Sequence, residues 1–317
     1  MSWKPFRTLT PRSALPALAV LLVLGVGAAA HANRPVPFGD QVSVPGNAQA
    51  SPVGAEAVGT AQPDLRVGPG LEAYDPTTGE LLWSYRRDGA TALNVSVLGG
   101  SAIVVWDDGM VTSVQMSDHS VRWHRAVPGL ADWLQHGSDG TGTGQLTDAQ
   151  RTRLEQQRAA AAVRTATLPE PWVEVLTPDL TMGFRDRDGD LRFNARPMSG
   201  CQFDPLRSVA TDNAVLVPRT CTGTTSTGRP LPGGVSGSEL DGHGWLLAAG
   251  PQVKLSRVNG HQVLLDDGPL VGSRIFDTEQ GIDVTPCGSP NEPFAALPPD
   301  GGCPAGAAAP AAGGAGR

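Results

Sequence analysis

The sequence predicts an all-β repeat protein of about four to six four-stranded units with one helical insertion, and three observations predict it. A strand, a tight turn and a second strand recur along the chain. The two best copies end at Trp83 and Trp123, 40 residues apart, which is the length of one four-stranded unit. Short apolar runs at Ser101–Trp106, Trp172–Leu176, Ala214–Val217 and Trp245–Ala249 then fill strand positions between the copies.

The clearest copy is Leu71 to Trp83. Asp75 can accept hydrogen bonds from the turn backbone, Pro76 presets its own φ, and Gly79 supplies the left-handed position that closes the hairpin. Leu81 and Trp83 then point to one face by the two-residue period of a strand. Aligned on the final aromatic, a second copy runs Val114–Trp123 with His119 in the glycine slot, which histidine tolerates better than most residues. A third runs Phe184–Phe193 with Gly189 in that slot, and a fourth runs Leu255–Leu264 with Gly260.

The longer intervals contain insertions. Thr147 can cap a helix with Gln150 as its capping-box partner, so residues 147–166 are expected as the helical insertion. Residues 222–244 are rich in Gly, Ser, Thr and Pro and are expected as a polar surface loop. The unit length is that of a β-propeller blade, so the expected architecture is β-propeller-like: a degenerate closed ring, an open arc, or an arc completed by a partner.

Both ends differ in composition from this body. Residues 1–32 carry Lys4, Arg7 and Arg12, then an apolar run from Ala14 to Ala30, then the small-x-small site Ala30-His31-Ala32. They are expected to be a signal peptide or an N-terminal membrane anchor, either of which places the body outside the cytoplasm. Cleavage after Ala32 gives a secreted protein; no cleavage gives one tethered to the cell membrane. Residues 33–63 lack periodicity and are expected as a disordered linker. Residues 287–317, rich in Ala, Gly and Pro, are expected as a disordered tail, leaving residues 64–286 as the folded domain. The bias to Arg, Ala, Gly and Pro, with Lys4 and Lys254 the only lysines, suggests a GC-rich, actinobacterial type of source.

The stretch Tyr74-Asp75-Pro76-Thr77-Thr78-Gly79-Glu80-Leu81-Leu82-Trp83 resembles the repeat of pyrroloquinoline-quinone-like β-propellers, the quinoprotein alcohol dehydrogenase-like group, a repeat also found in a bacterial outer-membrane assembly lipoprotein. The resemblance covers about two thirds of the chain and is specific at Tyr74–Trp83. It implies that the aromatic after each turn packs between neighbouring blades, a role that falls here to Trp83, Trp123 and Phe193, with Tyr74, Gly79, Gly189 and Gly260 shaping the same joints. Family rings usually have more blades than this body can hold.

A quinone enzyme of that group needs a calcium site, an aspartate base, a tryptophan floor and commonly a vicinal cysteine pair. No Cys-Cys occurs. No cofactor is therefore expected, pyrroloquinoline quinone with calcium entering only under the alternative of a degenerate or true oxidoreductase. Asp186-Arg187-Asp188-Gly189-Asp190 lacks the glycine and glutamate positions of an EF-hand loop and coincides with a repeat turn, so its acids are expected to serve that turn. Asp107-Asp108-Gly109 and Asp266-Asp267-Gly268 are expected as hairpin turns with exposed acids.

Cys201, Cys221, Cys287 and Cys303 are even in number and fit full pairing outside the cytoplasm. Three connectivities are open. The sequential one, Cys201–Cys221 with Cys287–Cys303, closes short loops and clamps two adjacent strands through the first pair. No histidine sits near a nucleophile in a catalytic pattern, and no Cys/His set has zinc spacing. Trp133, Trp172 and Trp245 flank the insertions, where they either anchor a partner or pack between blades. The net charge of −7 removes the attraction that non-specific nucleic-acid binding needs.

The function expected is thus a non-catalytic scaffold or protein-interaction domain of the cell envelope. Its partners would be a protein or an envelope component, with self-association where strand edges are unpaired. A ligand-sensing ectodomain is the further alternative.

Overall fold

The structure, a computed structural model, describes residues 37–45, 62–137, 146–224, 231, 233–268 and 272–284. The segments expected as leader (1–32) and tail (287–317), with Cys287 and Cys303, lie outside the described residues. Within them, alternating apolar residues build five antiparallel sheets that follow one another along the chain.

Sheet I contains β2 (Asp64–Val67), β3 (Leu71–Tyr74) and β4 (Leu81–Arg87), with β1 (Asp40–Ser43) added beyond β4. Sheet II is β5 (Ala92–Leu98), β6 (Ser101–Trp106), β7 (Met110–Gln115) and β8 (Val121–Ala126). Sheet III is β9 (Val163–Ala166), β10 (Trp172–Thr177), β11 (Leu180–Arg185) and β12 (Leu191–Ala195). In sheet IV, β13 (Cys201–Phe203) and β14 (Val209–Ala210) both pair with β15 (Ala214–Cys221), followed by β16 (Gly234–Glu239) and β17 (Gly244–Leu247). Sheet V is β18 (Lys254–Arg257), β19 (Gln262–Asp266), β20 (Ser273–Asp277) and β21 (Ile282–Val284).

The core lies between neighbouring sheets. Leu71, Tyr85 and Trp106 pack sheet I on sheet II; Ile103, Val175 and Phe184 pack II on III. Trp172, Leu176 and Val215 join III to IV, and Leu216, Val263 and Phe276 join IV to V. Among the described residues no core cluster returns from sheet V to sheet I. The fold is therefore an all-β, propeller-like array of five sheets.

Four expectations need correction. Asp40–Ser43, inside the stretch expected as linker (33–63), is a strand, with Asp40 to Ser43 registered against Arg87 to Ser84. Its four residues are too few to show a period, and their anchor is tertiary: the Tyr85 hydroxyl donates to Asp40 at 2.7 Å. The helix expected at 147–166 ends at Ala162, and Val163–Ala166 is β9, because β-branched Val163 and Thr165 suit a strand while the alanines before them suit a helix. This helix, α2 (Asp148–Ala162), has the capping box of Thr147 and Gln150. A second helix, α1 (Leu130–His136), precedes it and buries Leu130, Trp133 and Leu134.

Part of the expected polar loop (222–244) is β16. Its Gly and Ser residues serve close packing, since a Cβ on Gly237 would reach 2.5 Å from the Trp245 ring. Finally, Leu255–Leu264 is the β18–β19 hairpin, a different part of its sheet from the other three copies. Gly260 there has no left-handed φ; its carbonyl accepts from the Asp212 amide at 2.7 Å and the Asp212 carboxylate fills its side-chain space.

Candidate functional site: the joints between sheets

The β3–β4, β7–β8 and β11–β12 hairpins carry the repeat, and β16–β17 and β20–β21 are its two further copies. In three of the five turns the same hydrogen bond closes the loop: Gly79 donates to Asp75 O at 2.8 Å, Gly189 to Arg185 O at 2.8 Å, and Gly281 to Asp277 O at 2.9 Å. The side chain of Asp75 accepts from the Thr77 and Thr78 amides at 2.7 and 2.9 Å, and Asp277 accepts from Glu279 and Gln280 at 3.0 and 2.9 Å. The amides of Thr78 and Thr77 hold the Asp75 carboxyl below its ordinary range. Left-handed backbone recurs at every turn, at Gly79 (φ 72°), His119 (61°), Gly189 (66°), Gly242 (85°) and Gly281 (68°).

All of these left-handed residues except Gly79 are docking points. The aromatic on the last strand of each of the first four hairpins packs on the turn of the next sheet. Trp83, 2 % exposed, has its ring 5.2 Å from that of His119. Trp123 lies on Gly189, where a Cβ would come 2.5 Å from the indole, and donates from Nε1 to Asp186 O at 2.6 Å. The Phe193 Cβ is 3.6 Å from the Cβ position of Gly242, and Trp245 Nε1 is 2.9 Å from that of Gly281. Burial lowers the His119 imidazole pKa below its ordinary value. Tyr74 is not in a joint: strand alternation turns Ala73 inward and Tyr74 outward, where its hydroxyl donates to Glu72 at 2.7 Å.

The Asp186–Asp190 run is absorbed by the joint between sheets II and III. Buried Asp186 accepts from Ser113 Oγ at 3.0 Å, Ser101 Oγ at 2.9 Å and Arg122 Nη1 at 3.0 Å. Asp188 pairs with Arg185 at 2.7 Å, a hydrogen bond that holds its carboxyl down at about 2. Asp108, expected to be merely exposed, grips the buried Arg87 of sheet I at 2.9 Å, and Arg87 in turn lies 5.1 Å from the Trp106 ring centre. Asp267 likewise accepts from the Gly250 amide at 2.8 Å. Asp108 and Asp186 are thus contacts between sheets, whereas Asp75 and Asp188 serve their own turns.

Other candidates fall in place around these joints. Cys201 and Cys221 form a disulfide across directly paired positions of β13 and β15. Trp133 and Trp172 are buried, and Trp245 sits edge-on to Phe276 at 5.3 Å, so all three pack. Glu239, Asp241 and His243 bring three possible metal ligands within 4.8 Å on the β16–β17 turn, with Asp241 and His243 exposed. Helix α2 packs on β5 of sheet II, on β9 and β10 of sheet III and on the Pro205–Arg207 turn of sheet IV. Between α1, α2 and the β6–β7 turn is a polar cavity of about 400 Å³ that includes Asp107, His136, Arg151 and Glu155.

No family model matches the sequence and no curated protein matches it. Among solved structures it is similar to BamB from Moraxella catarrhalis, at 13% identity and a TM-score of 0.40 over 71% of this chain and 62% of that one. It is similar to Kluyvelomyces marxianus Hsv2 at 14% identity and a TM-score of 0.37, over 68% of this chain and 55% of that one. A europium-containing methanol dehydrogenase aligns at 10% identity and a TM-score of 0.40, over 71% and 49%. The chain thus spans about half to three fifths of these proteins' lengths. The fold assignment rests on the five sheets and their joints.

Proposed function

We propose that this protein is a non-catalytic, extracytoplasmic scaffold that presents its helical insertion to a protein or cell-envelope partner. One observation carries the reading: the repeat's aromatics are engaged in joining sheet to sheet, and the buried Asp186 is engaged likewise by Ser101, Ser113 and Arg122. The inserted elements, α1 and α2 with the cavity beside them, are set on that frame, and binding residues tend to sit on such insertions. Export is supported by the basic-then-apolar opening of residues 1–32 and by the Cys201–Cys221 bond. Tethering by the opening segment gives residues beyond it a stand-off from the membrane.

The test has two arms. A phosphatase reporter fused after Val284, active only outside the cytoplasm, is expected to be active, and an inactive reporter overturns the location. Photo-crosslinking side chains at Arg153 and Gln157 on the exposed face of α2 are expected to trap a discrete partner in cells, whereas one at Arg86 on sheet I is not. Turnover of an alcohol or sugar by the purified chain with added quinone and calcium overturns the non-catalytic reading.

A further inference from the structure

Glu174 lies on β10 between Val173 and Val175, whose side chains face sheet II, so by strand alternation its own enters the contact between sheets III and IV. That contact is otherwise apolar, made by Ala166, Trp172, Leu176, Val215 and Leu240. The carboxyl is fully buried. Ser238 Oγ of β16 approaches one oxygen, Oε2, at 2.6 Å, while the other, Oε1, has no hydrogen-bond partner.

The groups around it decide its charge state. From β11 it faces Thr181; from β16, Ser238; from β15, Val215, whose carbonyl is 3.4 Å from Ser238 Oγ. Its register partner on β9, Arg164, directs its guanidinium to the carbonyls of Ala160, Val163, Ser208 and Pro205 instead. Glu239, next to Ser238, bonds to Asn213 on the sheet V side. Among the described residues no cation compensates a carboxylate here, and an uncompensated buried charge is costly. A neutral carboxyl fits: Ser238 Oγ donates to Oε2, and no charge is then buried without a partner.

We propose that the contact between sheets III and IV is a pH-sensitive joint, closed when Glu174 carries its proton and loosened when it loses it. Ser238 leads directly to the β16–β17 turn, so loosening this contact also frees the seat of Phe193 on Gly242. Burial pushes the Glu174 carboxyl up to about 7 in the closed joint, and Ser238 and Thr181 offset only part of that rise. A raised value means the closed form holds its proton more tightly than the open form. Closure is therefore most favoured below the ordinary carboxyl range, near 4.5, weakens as pH rises to about 7, and is flat above that.

Hydrogen exchange of the full chain tests this, with rates corrected for the intrinsic effect of pH. Between pH 5 and 8 the opening equilibrium of β10, β15 and β16 is expected to rise on the order of 10²-fold, while β6 and β7 change little. Glu174→Gln is expected to abolish that pH dependence. Ser238→Ala, which removes a donor that favours the ionised form, is expected to move the upper end of the transition to higher pH, and it keeps the test intact if Glu174→Gln does not fold. The same pH profile in Glu174→Gln as in the parent, a uniform response across all five sheets, or no shift with Ser238→Ala overturns the proposal.

Discussion

Gly79 in sheet I and Gly189 in sheet III occupy the same place in the same turn, with φ of 72° and 66°. Their surroundings are opposite. Around the Cβ position of Gly189 the Trp123 indole is 2.5 Å away, whereas around that of Gly79 none of the described residues comes within 4 Å. The turn is thus one local solution used twice, once as a seat for the preceding sheet and once as a bare end. The outward face of sheet I agrees with that. Arg66 pairs with Asp64 at 2.7 Å and lies 4.3 Å from the Tyr74 ring centre, and Arg86 pairs with Glu72 at 3.4 Å. A polar outer face is how stacked repeats finish at a terminus. The turn motif alone therefore does not tell a joint from an end; the aromatic of the preceding sheet does.

The largest effect should come from removing that aromatic. Trp123→Ala deletes a buried ring and the bond to Asp186 O, and is expected to cost about 4 kcal/mol by denaturant unfolding. A cost below about 1 kcal/mol would show that the joint between sheets II and III does not depend on it. Asp186→Ala leaves Ser101 and Ser113 buried without their acceptor and Arg122 without its partner, for a loss of about 3 kcal/mol. Asp75 of the bare turn, which aligns with Arg185 and not with Asp186, bonds only to its own backbone neighbours, so Asp75→Ala should cost far less. Equal losses at the two aspartates would erase the distinction between seat and end.

The repeat at Leu71–Trp83 was legible because one local stretch carries every part of the turn: Asp75, Pro76, Gly79 and Trp83. The propeller-like class followed from it, since a 40-residue interval leaves room for four strands and little else. Alignment on the final aromatic failed where that aromatic changes. Phe276-Asp277-Thr278-Glu279-Gln280-Gly281 repeats the spacing of Tyr74-Asp75-Pro76-Thr77-Thr78-Gly79, but Thr285 stands where Trp83 does, so the last copy was assigned to the β18–β19 hairpin around Gly260 instead. The β16–β17 copy was hidden by composition, because its glycines and serines make room for Trp245 and for Glu174, neighbours that only the fold supplies. The roles of Asp108, Asp186 and Glu174 were beyond sequence reading for the same reason. Each acts on residues of another sheet, 21, 85 and 64 positions away in the contacts to Arg87, Ser101 and Ser238.

The smallest effect gives the sharpest test of the comparison. Gly79→Ala adds a methyl group in open space, so its cost is the left-handed penalty alone, about 1 kcal/mol. Gly189→Ala pays that penalty and also drives a Cβ into the Trp123 ring, and should cost about 2 kcal/mol more. Because the excess belongs to the ring, it should vanish in a Trp123→Ala background, where Gly189→Ala falls to the value for Gly79→Ala. A double-mutant cycle at Trp123 and Gly189 reads this as a coupling of about 2 kcal/mol. Strict additivity would mean that both glycines are retained for their turns and that the indole merely lies nearby.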